Sequence, residues 1–213
     1  MATRKNPGEE FTGKLGNTVT YYLGKKVVKR LIGVNTKPHT EKQLAFYLLC
    51  KQVNQFLKPL KEFLQTGYEV VNRGSDKTIF NMAYAYIFNN AIKGSFPNQE
   101  IDYAKVLLSI GDLEVTQELS VKAIASGLEF AWNKDASDKV SWDDTVLLVA
   151  YIPALNDAQY LLSGARRIAG TEFLQLKDVP DQTVIHTYLS FVSANRKKIS
   201  NSVYMGTLIW TEK

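Results

Sequence analysis

Seven residues near the start of the chain have the types and spacing for one kind of chemistry. They are Lys14, Tyr21, Tyr22, Lys25, Lys26, Lys29 and Arg30, within "GKLGNTVTYYLGKKVVKRL" at 13–31. Cations at this density could track a phosphate backbone while the tyrosine rings stack on bases. The same lysines on an exposed strand edge have a plainer use, because charge there deters unwanted strand pairing. No other cluster in the chain makes a comparable case.

The groups that serve in catalysis or metal binding are scattered. His39 and His186 lack a cysteine or second histidine at ligand spacing, which argues against zinc. Cys50 falls among apolar residues of a helical pattern and reads as a small buried thiol. His186 lies in a strand-like run and reads as a satisfied strand residue. The richest acidic stretch is Asn133–Lys139 with Asp143 and Asp144. Calcium takes several such oxygens, but the spacing matches no EF-hand and two lysines sit among the acids, so a solvated loop is the expectation. Gly13-x-x-Gly16 is not followed by a helix, and no phosphate-binding loop is present. The sequence therefore predicts no catalytic, cofactor-binding or metal-binding residues, no cofactor, and a protein that is not an enzyme.

The elements that must carry these residues fall into three regions. Thr18–Leu23 and Val27-Val28 are β-branched and aromatic, with Gly24 placed for a tight turn, so a β-hairpin is expected. Thr40-Glu41-Lys42-Gln43 is a capping-box pattern. Behind it, Ala45, Leu48, Leu49, Val53, Phe56, Leu57, Leu60, Phe63 and Leu64 keep helical spacing. Pro59 should interrupt that helix, and Gly67 should end it. A second helix is expected over about 76–92, capped by Ser75 or Asp76. From about Ile101 the period shortens. Segments at 103–110, 119–124, 128–132, 145–152, 160–162, 172–176, 183–192 and 202–210 read as strands separated by turn residues.

The predicted fold class is α+β: an N-terminal β-hairpin and helical pair, followed by an immunoglobulin/fibronectin-like antiparallel β-sandwich. The expected domains are 1–99 for the basic hairpin and helices, and 100–213 for the sandwich. Trp132 resembles the core tryptophan of such sandwiches. The lone cysteine rules out the paired cysteines of an antibody-type domain.

Charge follows the same division. Residues 1–38 hold 8 Lys and Arg against 2 Asp and Glu, residues 39–99 hold 7 against 4, and residues 100–213 hold 11 against 15. A chain of 213 residues with 45% hydrophobic and 22% charged residues can bury a full core without staples. No apolar run is long enough for a membrane span, and the basic start has no apolar stretch behind it. The expected location is cytoplasmic by default, with export of an assembled form left open.

Three phrases, "GKLGNTVTYYLGKKVVKR" at 13–30, "TEKQLAFYLLCKQVNQFLKPLKEFLQTGY" at 40–68 and "KKISNSVYMGTLIW" at 197–210, together resemble an uncharacterised family of domains of unknown function from Bacteroidota. The similarity covers nearly the whole chain and implies no catalytic residues. The functional expectation is a non-enzymatic structural or interaction protein. It would self-associate as a homo-oligomer, or dock a protein partner, through the basic hairpin and the sandwich surface. The alternative is a nucleic-acid-binding protein whose hairpin contacts phosphates.

Overall fold

The computed structural model describes residues 12–34, 36–134 and 141–211. Contacts divide the chain into two compact units, Met1–Thr40 and Glu41–Lys213. The boundary expected at 99/100 does not coincide with this division, because the helices share a core with the strands that follow them.

The first unit is a three-stranded antiparallel meander: β1 (Gly13–Leu15), β2 (Thr18–Leu23) and β3 (Lys26–Leu31). The expected hairpin thus gains a strand. Two two-residue turns build it, Gly16-Asn17 and Gly24-Lys25. Gly16 at φ +59° and Gly24 at φ +62° occupy the first turn positions, where a tight hairpin turn calls for glycine.

The second unit begins with α1 (Glu41–Leu57), α2 (Lys61–Gly67) and α3 (Ile79–Asn90). The break between α1 and α2 falls at Pro59, whose missing donor and ring bulk end the first helix. Leu49, Val53, Phe56 and Leu57 are buried on α1, as their spacing demands. Leu48, expected on that face, is instead 61% exposed, as the N-terminal half of α1 projects past the core. The third helix starts later than expected. Its cap is Thr78, whose hydroxyl accepts from the Asn81 amide, while Ser75 Oγ accepts from the Lys77 amide in the preceding turn. Gly67 closes α2 for a reason beyond helix termination: a Cβ there would run into the Leu108 carbonyl.

A two-stranded ribbon of β4 (Ile92–Lys93) and β5 (Glu100–Ile101) leads into the sandwich. Its seven strands are β6 (Ser120–Ile124), β7 (Gly127–Ala131), β8 (Thr145–Ile152), β9 (Asp157–Leu161), β10 (Thr171–Gln175), β11 (Thr183–Val192) and β12 (Val203–Trp210). They form two antiparallel sheets ordered β10-β7-β6 and β12-β11-β8-β9. The first, second and fifth sandwich strands share one sheet, and the other four share the second. This crossed division is the immunoglobulin/fibronectin-like arrangement expected from strand count and spacing.

Residues 103–110 form a short 3-10 turn over Tyr103–Lys105 and then an extended segment, in place of the expected strand. Its alternating apolar residues are buried, but its backbone bonds to side chains and loops. The Leu108 amide donates to Ser202 Oγ at 2.7 Å, Ser109 Oγ donates to the Ser200 carbonyl at 2.8 Å, and the Ile110 amide donates to the Gly67 carbonyl at 3.1 Å. The Gly111 amide donates to Asn201 Oδ1. The Ser200-Asn201-Ser202 phrase is therefore a clamp on this segment.

The four-stranded sheet is covered on both faces. Val146, Leu148, Ala150 and Ile152 of β8 face the three-stranded sheet, and Leu147, Val149 and Tyr151 face the helices. Burial on both sides explains why β8 reads as a continuous apolar run, TVLLVAYI, without the alternation of a half-solvated strand.

Candidate functional site

The seven basic and aromatic residues singled out by the sequence all lie on the N-terminal ribbon, and its register divides six of them between two faces. Directly paired residues in an antiparallel sheet share a face. Lys14 pairs with Val19, Val19 with Arg30, Tyr21 with Val28, and Leu23 with Lys26. Lys14, Tyr21, Lys26 and Arg30 therefore share one face, where the Arg30 guanidinium carbon lies 6.0 Å from the Tyr21 ring centre. On the other face, Leu15 pairs with Thr18, Thr18 with Leu31, Thr20 with Lys29, and Tyr22 with Val27. That face holds Leu15, Tyr22, Val27 and Leu31, with Lys29 as its one cation. Lys25 sits in the turn.

No described residue of the ribbon is buried. Leu15, Leu23 and Leu31 are each more than 60% exposed. Three strands reach independent stability in water only with a hydrophobic face or with a helix packed against them. The ribbon has the face, and within its own strands nothing packs on it.

The body brings together two groups that sequence reasoning left apart. In the first, Tyr103 stacks on His186 with ring centres 4.0 Å apart, and His186 Nδ1 lies 2.9 Å from the Tyr204 hydroxyl. That hydroxyl lies 2.7 Å from Thr207 Oγ1. Burial, reinforced by the Lys93 charge, pushes the His186 imidazole down to about 4. A base that weak is mismatched to work near neutral pH. The adjoining cleft is lined by Gln52, Gln55, Glu100, Tyr103, Tyr151 and Asn156, and its volume of about 240 Å3 lies below the range of ordinary small-molecule sites. His186 does not line it.

The second group is a buried ion pair. Arg167 and Asp144 have side chains only 1% and 2% exposed, with Nε 3.3 Å from Oδ2. The guanidinium lies 3.9 Å from the Phe191 ring centre, and Nη2 donates to the Glu114 carbonyl. Trp132 follows β7 directly, buried as expected, and its Nε1 donates to the Arg167 carbonyl at 2.7 Å. The sequence groups Asp144 with the acidic loop at 133–144, but the structure turns it inward onto Arg167. Of that loop, 135–140 lie outside the described residues. Among the described residues no cluster of three or more His, Cys, Asp or Glu could hold a metal. Cys50 is half-buried, more open than expected, and hydrogen-bonds with Tyr84.

One more feature had no sequence signal. The edge strands β9 and β10 belong to different sheets, and a groove of about 580 Å3 opens between them. Gln159 bridges one end of it. Its Nε2 donates to the Lys177 carbonyl at 2.7 Å, and its Oε1 accepts from the Lys177 amide at 2.9 Å. One carboxamide thus makes the pair of bonds that a neighbouring strand would make.

Residues 10–206 match the model of one family, described as a family of unknown function (DUF6266). No curated protein matches the chain.

Proposed function

The chain belongs to a family of unknown function (DUF6266) whose span takes in ribbon and body together, and from that premise we propose that it is a structural or interaction protein that docks through its ribbon. The observation that carries this reading is the ribbon itself. It is a sheet of three strands, with Lys14, Lys26 and Arg30 beside Tyr21 and Leu23 on one face, Leu15, Tyr22, Val27 and Leu31 with the single cation Lys29 on the other, and no buried residue. Such a sheet gains stability by covering its exposed apolar side chains with another surface, and a second copy of this chain is the partner we favour. The body supports the division of labour, because it has two cores of its own. Among the described residues no helix is long and apolar enough to cross a membrane. The cytoplasmic location and the placement among Bacteroidota belong to this same proposal.

The experiment is the native mass of the full chain across a concentration series, beside that of a chain lacking residues 1–36. The expected result is an oligomer for the first and a folded monomer for the second. A full chain that stays monomeric at high concentration defeats self-association.

The clustering of Lys14, Lys26 and Arg30 beside Tyr21 on one face favours a second reading, contact with nucleic-acid phosphates. It predicts binding that weakens steeply with salt and drops when Lys14, Lys26 and Arg30 become Ala. Absence of binding to DNA and RNA at low salt disposes of it.

A further inference from the structure

The docking role just proposed leaves open which surface receives the ribbon. Resting on that role, we propose that strand β3 of one copy adds to the free edge of β9 in another, seated in the groove between β9 and β10. The two edges suit each other in three respects.

The first is backbone. β3 pairs only with β2, and β9 only with β8, so each presents an open edge among the described residues. An open edge is a template for an added strand. The lengths agree, six residues in β3 and five in β9. At one end Gln159 of β9 itself spans the gap with strand-like bonds to the Lys177 backbone, so the added strand seats beyond that bridge, along Tyr160 and Leu161.

The second is charge. Lys26, Lys29 and Arg30 lie on β3. Asp157 opens β9, Glu62 accepts a hydrogen bond from the Tyr160 hydroxyl at 2.9 Å, and Glu172 lies on β10. The one lysine of the groove, Lys177, sits at the end that Gln159 bridges. Withdrawal from water, with the Glu62 bond and the Asp157 charge adding to it, pushes the Tyr160 hydroxyl up to about 12. Asp157 and Glu62 thus set two carboxylates beside β9, outside the groove lining itself, where the cations of β3 can meet them. The third respect is apolar surface. Phe173 is 38% exposed in the groove wall and Leu161 half-buried, facing a ribbon whose Val27 is 38% exposed.

A contact of this kind joins two different patches, so it propagates head to tail into a ring or an open filament instead of closing as a two-fold dimer.

Disulfide trapping tests the pairing in the full chain with Cys50→Ser as background. Chains carrying Val28→Cys or Lys29→Cys are mixed with chains carrying Asp157→Cys or Leu161→Cys, and Lys122→Cys on the opposite edge serves as control. The expected result is ribbon-to-β9 disulfides and none to Lys122→Cys. A second arm reverses charge. Lys29→Glu with Arg30→Glu should weaken association by about tenfold, and Glu62→Lys with Asp157→Lys in the partner should restore it. If the chain associates but the cross-links and the charge rescue miss β9, the groove assignment is overturned while ribbon docking stands. A chain that remains monomeric overturns both.

Discussion

Arg167 carries a full charge in the space beside Phe191 and Trp132, and Asp144 is what makes that tolerable. The arginine amide donates to the Asp144 carbonyl at 2.7 Å, and its side chain meets the Asp144 carboxylate, so one residue pins the strand-entry turn twice. Removing one partner of such a pair strands the other charge away from water. Arg167→Ala should therefore cost about 3–5 kcal/mol. Replacing both partners with apolar residues of similar size, Arg167→Met with Asp144→Leu, should recover most of that loss. Urea unfolding of the three chains checks it, and a single variant as stable as the parent would refute the assignment. His186 makes a different prediction. Its folded-state value of about 4 lies below the ordinary 6.5, so the unfolded chain takes up the proton first. Its contribution is fully present above pH 6.5 and is lost as pH falls towards 4. Thermal unfolding at pH 7 and pH 5 should show a loss at the lower pH that shrinks in His186→Gln.

Elements differ sharply in how firmly they are held. β8 is buried on both faces and should be among the last segments to exchange its amides. The ribbon has no buried side chain, so its amides should exchange rapidly in dilute protein and gain protection as concentration rises. Mass-spectrometric hydrogen exchange at two concentrations reads this directly, and equal exchange at both would count against ribbon docking. The junction of α2 with the 103–110 segment is held by close approach of main chains. Gly67→Ala pushes a methyl into the Leu108 carbonyl and should cost about 1–3 kcal/mol, read as a lower denaturation midpoint. An unchanged midpoint would show that the two segments separate freely.

For the whole molecule, the division of cores sets the expectation. Leu57, Phe63, Tyr151 and Tyr188 close the core between helices and sheet, and Phe130, Leu148 and Phe191 close the one between sheets. The described residues of both cores lie within the Glu41–Lys213 unit. Deleting residues 1–36 should therefore leave the midpoint of the body within a few degrees of the full monomer, since burial is what an unfolding transition mainly reports. A large drop would show that the ribbon stabilises its own body.

Local chemistry made much of this legible in advance. Helical spacing from Val53 to Leu64, the break at Pro59, the glycine turn at Gly24 and the short β-branched runs after Leu119 each depend on neighbours a few residues away, and each is found in the folded chain. The same local logic failed at 103–110, where alternating apolar residues suggested a strand but the hydrogen bonds go to Ser202, Ser200 and Gly67. It also failed at Asp144, which in sequence is one acid among several and in space is the counter-ion of a residue 23 positions on. The seven candidate residues on the ribbon were visible as a cluster, but their division between two faces follows from cross-strand register. The β9–β10 groove had no signature at all, because it is made by two strands in different sheets. Sequence determines what a residue and its near neighbours prefer. Which edges stay open, which charges meet and which face is left uncovered were decided by long-range packing, where the partners are chosen by the fold and not by the spacing.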